Sequence, residues 1–268
     1  MCLLIFAHRV WPGQPLVLAA NRDEFYERET AASTFWPEHP DLLAGKDLRQ
    51  GGTWMGITRS GYFAAITNYR DPASTRESPR SRGELPLDFL IGAATPGDYL
   101  QQIAKLAPQY AGFNLLLGDG QDLWYFNNRS AGHDQQSSRP HKLPPGIYGL
   151  SNANLDTPWP KVELGKQRLT ELIASNALSH EALIGVVNNR QRAARQALAQ
   201  QGMETEMEQV LSAQFIQAGT YGTRSSTTMW ADENGTVSWR ELSFDSLGVV
   251  QETREEHFET LQGVATGL

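Results

Sequence analysis

Two short apolar runs flanking a turn signal recur four times along this chain, and no other feature restricts its fold as strongly. Residues 2–8 and 15–20 flank Trp11-Pro12-Gly13-Gln14, and Thr53–Ile57 and Tyr62–Thr67 flank Arg59-Ser60-Gly61. Gly112–Leu117 and Leu123–Asn127 flank Gly118-Asp119-Gly120, and Ser226–Ala231 and Thr236–Leu242 flank Asn234-Gly235. Pro-Gly and Asn-Gly reverse a chain within a few residues because glycine accepts the left-handed backbone angles that hairpin turns demand. Each pair therefore predicts an antiparallel hairpin. Residues 16–20 (LVLAA) and 63–67 (FAAIT) are apolar at successive positions, which predicts sheets covered on both faces.

Helical signals lie between the hairpin blocks. Residues 82–106 open on Ser81-x-x-Glu84, a capping-box pattern, and restart at Thr95-Pro96, a cap followed by proline at the first helical position. Residues 160–205 carry Leu164, Leu169, Leu172, Ile173, Leu183, Ile184 and Val187 at helical spacing. Arg70–Arg82 and Asn128–Pro140 are long polar stretches, read as surface loops. With no internal repeat and no low-complexity linker, the pattern predicts one α+β domain over residues 1–268, two antiparallel sheets with helices outside.

Charge and cysteine content narrow the function classes. The net charge is −7, from 23 basic and 30 acidic residues, which argues against a nucleic-acid surface. No apolar run approaches the ~20 residues that span a bilayer. The start, Met1-Cys2-Leu3-Leu4-Ile5-Phe6, lacks the basic region of a signal peptide, so a cytoplasmic location is expected. One cysteine in the whole chain excludes an intrachain disulfide and a cysteine-based metal site.

That single cysteine is Cys2, which becomes the N-terminal residue if Met1 is removed. A free α-amine titrates near ~7.7–8.0 and can act as base for its own thiol. If the first turn centres between Pro12 and Gly13, paired positions sum to 25, and Cys2 lies opposite Asp23, give or take two, in the polar run Asn21-Arg22-Asp23-Glu24. A cation there lowers the thiol pKa and a carboxylate anchors the α-ammonium. The same arithmetic on the second hairpin pairs Asn68 with Gly51, bringing Gly51-Gly52 beside Thr67-Asn68. Asparagine is a fair oxyanion donor. Two further polar segments, Tyr148–Asn152 and Thr223–Thr227, interrupt apolar runs.

Cys2, Asn21-Arg22-Asp23-Glu24, Gly51-Gly52-Thr53-Trp54-Met55-Gly56, Thr67-Asn68, Gly112-Phe113-Asn114-Leu115, Tyr148-Gly149-Leu150-Ser151-Asn152 and Arg224-Ser225-Ser226-Thr227 together resemble the NRDE family, also called the transport and Golgi organization 2 family. That family is in turn similar to the N-terminal nucleophile hydrolases of the choloylglycine hydrolase and penicillin V acylase branch. The resemblance implies a four-layer αββα sandwich with Cys2 as nucleophile. It implies Arg22 as the site arginine, Asp23 or Glu24 as the acid, and Arg224 as the late arginine behind the nucleophile. The Asn68 N–H and the Asn152 side chain become the oxyanion donors. The substrate implied is a small acyl amide, ester or thioester, with no cofactor required. It equally implies a carrier of haem or of an acyl-CoA or lipid ligand, for which Cys2, His8, His133 and His141 are the candidate axial ligands.

Overall fold

The computed structural model describes residues 2–70, 79–129 and 139–261. The chain opens with β1 (Cys2–Trp11) and β2 (Gln14–Phe25), crosses to a second sheet with β3 (Thr30–Trp36), β4 (His39–Asp47), β5 (Met55–Thr58) and β6 (Phe63–Asn68), then forms α1 (Glu84–Ile91) and α2 (Pro96–Leu106). After them come β7 (Phe113–Gly118), β8 (Leu123–Asn127), β9 (His141–Lys142) and β10 (Gly146–Leu150). The outer helices α3 (Pro160–Ser175), α4 (His180–Val187), α5 (Arg195–Ala199) and α6 (Glu206–Val210) precede β11 (Gln217–Ala218), β12 (Tyr221–Ala231), β13 (Thr236–Phe244) and β14 (Val250–Glu259).

Among the described residues these strands make two antiparallel sheets. The first runs β10-β1-β2-β12-β13-β14 with β11 on β12, and the second runs β3 through β9 in chain order. Leu4, Phe6, Leu18, Met55, Tyr125, Met229 and Trp239 belong to the buried cluster between the sheets. Leu85, Phe89, Leu100 and Ile103 join α1 and α2 to the outer face of the second sheet. Val162, Leu169, Leu183 and Val187 join α3 and α4 to the outer face of the first. The result is an αββα sandwich of four layers, as the family resemblance implied. All four expected hairpins are present.

One register expectation is sharpened and another corrected. Trp11 does pair with Gln14, summing to 25, but the ladder then shifts, and His8 pairs with Leu16 and Cys2 with Arg22, summing to 24. The shift lies at the stretch holding Arg9, whose φ of 53° is left-handed, so one extra residue is absorbed there as a bulge. Cys2 therefore faces Arg22, one residue from Asp23 and within the expected range. In the second hairpin the ladder ends once Ile66 N–H reaches the Trp54 carbonyl at 2.9 Å, so Gly51 never pairs with Asn68, and Asn68 aligns with Phe113. Gly52 is instead pressed on Gly83, where a Cβ would meet backbone atoms at 2.4 Å, and Thr53 N–H donates to the Gly83 carbonyl at 3.0 Å.

The helical signals also divide unevenly. Thr95 caps α2 with Pro96 at its first turn, as expected. Ser81 does not cap α1, which starts from Gly83, and the Glu84 carboxylate is taken by Arg80 and the Tyr110 hydroxyl. The expected 160–205 block is broken between Val187 and Arg195.

Candidate active site

Strand alternation sorts the four polar residues at the end of β2. Cys2 and Arg22 are register partners, so their side chains share the face that carries Leu4, Phe6, Leu18 and Ala20 into the inter-sheet core. Asn21 and Asp23 take the opposite face, toward α3 and α4. Asn21 is a fastener. Its Nδ2 donates to the carbonyls of Val187 and Gln214, each at 2.9 Å, and its Oδ1 accepts from Ser226 Oγ at 2.6 Å.

Arg22 lies 6% exposed with its guanidinium 4.3 Å from the Trp54 ring. Gly45 makes room for that ring, since a Cβ there would stand 2.3 Å from it. Arg22 Nη1 is buried and has no hydrogen-bond partner among the described residues. Asp23 is 2% exposed, and its Oδ1 accepts from Thr223 Oγ1 at 2.7 Å. Its backbone hydrogen-bonds the Cys2 thiol. Glu24 is half-buried, with Oε1 accepting from the Phe25 N–H at 2.9 Å. Of the two candidate acids, Asp23 is the buried one behind the Cys2 backbone.

Burial dominates the electrostatics. It pushes the Cys2 thiol above its ordinary range, and the pull of the Arg22 guanidinium is smaller. The expected cation effect on the thiol thus has the right sign but does not win. Burial likewise pushes the Asp23 carboxyl up, opposed by the charge of Lys161 among others. Lys161, 4% exposed in the first turn of α3, donates from Nζ to the Leu211 carbonyl at 3.0 Å. No sequence pattern singled it out, because its neighbours read as an ordinary helix start.

Asn68 and Asn152 come together. Ile66 N–H points toward β5, and alternation turns the Asn68 N–H and carbonyl to that same side, which β5 has vacated. The Asn68 carbonyl accepts from Asn152 Nδ2 at 2.7 Å, so the Asn152 amide lies on that side too. On the other sheet, Leu4 pairs with Leu150, and continuing that register sets Asn152 across from Cys2. Ser151 Oγ completes the link by donating to the Cys2 carbonyl at 2.9 Å.

A buried polar network holds this segment. Thr67 Oγ1 donates to the Ser151 carbonyl at 2.6 Å, and Asn114 Nδ2 donates to Thr67 Oγ1 at 2.9 Å and to the Ala153 carbonyl at 3.0 Å. Tyr125 donates to Asn114 Oδ1 at 2.7 Å, and Asn127 Nδ2 donates to Asn154 Oδ1 at 3.0 Å. Asn114 belongs to a motif already noted in the sequence. Its task is support.

Cys2, Arg22, Asp23, Glu24 and Asn68 line one cleft of about 380 Å³, together with Arg28, Asp47, Gln50, Trp54, Arg80 and Arg82. Asn152, 1% exposed, sits behind Asn68 and is not among the lining residues. Arg224 is not among them either. Its Nη1 donates to the carbonyls of Phe25, Tyr26 and Arg28 at 2.9, 3.2 and 3.0 Å, so it ties down the turn after β2. Sequence reading passed over Arg82 and the Arg28–Asp47 pair, bonded at 2.6 Å, because lone charges in polar stretches carry no pattern. His8 is buried within β1, His141 hydrogen-bonds the Arg139 carbonyl, and neither lines the cleft. His133 lies outside the described residues.

The chain is similar to the Transport and Golgi organization protein 2 homolog of Bos taurus, 36% identical over 91% of this chain and 93% of that one. It is also 36% identical to the Homo sapiens homolog, over 98% of this chain and all of that one. Among solved structures it is similar to a Caenorhabditis elegans N-acylethanolamine-hydrolyzing acid amidase ortholog, at a TM-score of 0.49 and 12% identity, covering 85% and 92% of the two chains. Residues 1–246 match the model of the family described as Transport and Golgi organisation 2. By that match and by relatives aligned over nearly their full length, the chain belongs to the Transport and Golgi organisation 2 family.

Proposed function

We propose that this protein is a cysteine hydrolase or acyltransferase acting on a non-peptide amide, ester or thioester, with Cys2 as nucleophile once removal of Met1 frees its amine. The observation that carries this reading is the meeting of Cys2 with Asn68 and Asn152 from two different sheets. A thiol that burial keeps protonated needs a base beside it, and the Cys2 α-amine is that base. Asp23, at the Cys2 backbone, orients the resulting ammonium.

The reaction follows from these positions. The amine takes the thiol proton as sulfur attacks the acyl carbonyl, and the carbonyl electron pair moves to oxygen. The Asn68 N–H holds that oxyanion, and Asn152, bonded to the Asn68 carbonyl, fixes the residue that presents it. Collapse breaks the bond to the amine, alcohol or thiol leaving group, which receives the proton from the Cys2 ammonium and leaves an acyl-cysteine. Water, or an acceptor nucleophile, then discharges the acyl group by the same steps in reverse.

Acylation is tested by incubating the protein with a panel of acyl amides, esters and thioesters and measuring the mass of the Cys2 peptide. The parent gains the acyl mass and Cys2→Ala does not. Asn152→Ala slows acylation, because the Asn68 carbonyl loses the amide that fixes it. Equal turnover by parent and Cys2→Ala overturns the reading, as does an intact mass that retains Met1. The family's description as a transport factor supports a second reading, carriage of haem or an amphipathic acyl ligand. For haem, Cys2 is the axial donor that the cleft supplies. A haemin titration with a Soret shift that Cys2→Ala abolishes distinguishes this second reading.

A further inference from the structure

Four arginines line the cleft, and two of them are already neutralised. Arg28 is held by Asp47 at 2.6 Å, and Arg80 by Glu84 at 2.5 Å. Arg22 and Arg82 have no such carboxylate partner among the described residues. Arg22, register partner of Cys2 and thus on the thiol's side of the sheet, keeps a buried Nη1 with no hydrogen-bond partner among the described residues. Leaving a buried charged donor unsatisfied costs more than leaving a neutral one, so such a group is expected to meet a ligand. Arg82 is half-buried and gives one N–H, from Nη1, to the Gly112 carbonyl at 3.0 Å. That bond ties one end of the guanidinium to the residue before β7. Arg82 lines the same cleft as Cys2 and Glu24.

We infer that Arg82 and the unpartnered Nη1 of Arg22 form an oxyanion-binding subsite beside Cys2, and that the acyl substrate carries a carboxylate or phosphate group near its scissile bond. This deepens the proposed reaction and rests on it for the word substrate, although the subsite itself can be tested apart from turnover. A guanidinium presents a planar fork that matches carboxylate and phosphate oxygens, and charge-assisted bonds of this kind are roughly twice as strong as neutral ones. Glu24 and Asp23 at the same end of the cleft oppose an anion, so the two arginines must outweigh them. Arg82 is a specificity residue in this scheme. Arg22 contributes one donor.

The test compares alkylation of Cys2 by iodoacetate, which is anionic, with alkylation by neutral iodoacetamide of similar size. The expected ratio of rates in the parent exceeds that of free cysteine by about tenfold and falls as sodium chloride screens the arginines. Inorganic phosphate lowers the ratio further at matched ionic strength. Arg82→Gln brings the ratio to the free-cysteine value while the protein still unfolds in one cooperative transition, and Arg82→Lys restores part of it. A parent ratio at or below that of free cysteine overturns the proposal, as does a folded Arg82→Gln protein with the parent ratio. Paired thioesters with anionic and neutral thiol halves then separate carboxylate from phosphate. If Cys2 is never acylated while the alkylation ratio stays high, the hydrolase reading fails and the anion subsite stands. Acylation with a flat ratio means the reverse.

Discussion

A thiol, an arginine and two asparagines meet here because of one-residue details. The Arg9 bulge sets which residue faces Cys2, and a ladder slipped by one would put Asp23 on the thiol's face and Arg22 behind it. Position 22 thus controls the charge that the sulfur sees directly. Burial raises the Cys2 pKa, Asp23 adds to the rise, and Arg22 opposes it. Alkylation of Cys2 should therefore reach half-maximal rate at a pH above that of free cysteine, about 8.5. Removing the guanidinium in Arg22→Ala should move that midpoint higher and slow the reaction several-fold at pH 7. A rate–pH profile with iodoacetamide measures both, and a parent midpoint at or below 8.5 would refute the burial argument. Legibility fails at this same scale. Pro12-Gly13 located the turn correctly, and the Trp11–Gln14 pair obeys it. Nothing in His8-Arg9-Val10 announces a residue with positive φ, since arginine has no preference for it.

At the scale of elements, the site depends on how the segment after β10 is held. Residues 151–155 have no ladder of their own, and Thr67, Asn114, Tyr125 and Asn127 from the second sheet supply their hydrogen bonds. Asn114→Ala removes the acceptor of the Tyr125 hydroxyl and the donor to the Ala153 carbonyl from this network. That should cost about 1–3 kcal/mol, read as a lower midpoint in urea at unchanged slope. Acylation of Cys2 should slow as well, because Asn152 rides on the freed segment. Tyr125→Phe, which removes one hydroxyl, should fall between parent and Asn114→Ala, and an unchanged midpoint in both would remove the network from this role. The four hairpins were readable because their strands are apolar and their turns carry glycine. β14 was not, because Gln251, Glu252, Arg254, Glu255, Glu256 and Glu259 give an edge strand that is polar apart from Val250 and the buried Phe258, and strand signals come from burial. β3 and β4 were hidden for a related reason: Thr30–Trp36 and His39–Asp47 pair with bulges that break the alternation. Asn152 was legible only through a family motif, since the sequence of Leu150-Ser151-Asn152 says nothing of which strand lies alongside.

For the whole molecule, the question is what keeps four layers in register around a cleft at the end of both sheets. Between the sheets, Ser33 of β3 donates its N–H to Glu241 Oε1 at 2.8 Å and accepts from Trp239 Nε1 at 2.9 Å, joining β3 to β13. Between the first sheet and its helices, the comparable tie is His180. It opens α4, is buried, and its ring nitrogens meet Thr228 Oγ1 of β12 at 2.7 Å and Ser238 Oγ of β13 at 3.0 Å. Trp230 lies against the ring, with centroids 4.4 Å apart. Burial pushes the His180 pKa down to about 4, and the nearby Arg240 guanidinium adds to the effect while Glu255 and Glu181 oppose it. The folded imidazole thus takes up its proton less readily than the unfolded one, whose pKa is near 6.5. Below about pH 6.5 the unfolded chain binds the proton first, so stability falls as pH drops toward about 4 and is fully present above 6.5. The gap corresponds to roughly 3 kcal/mol of acid-sensitive stability from this one residue. His180→Gln keeps an amide able to reach one hydroxyl and has no proton to gain. Urea unfolding at pH 7 and pH 4.5 should show a smaller loss in His180→Gln than in the parent, the carboxylates common to both cancelling in the difference. Equal losses would mean that protonation of His180 does not loosen α4 from the sheet. Because α4 ends at Val187, whose carbonyl holds Asn21 beside the nucleophile, the same acid titration should also disturb Cys2. Alkylation of Cys2, corrected for its own ionisation, would then change between pH 6 and pH 4.5 in the parent and stay level in His180→Gln.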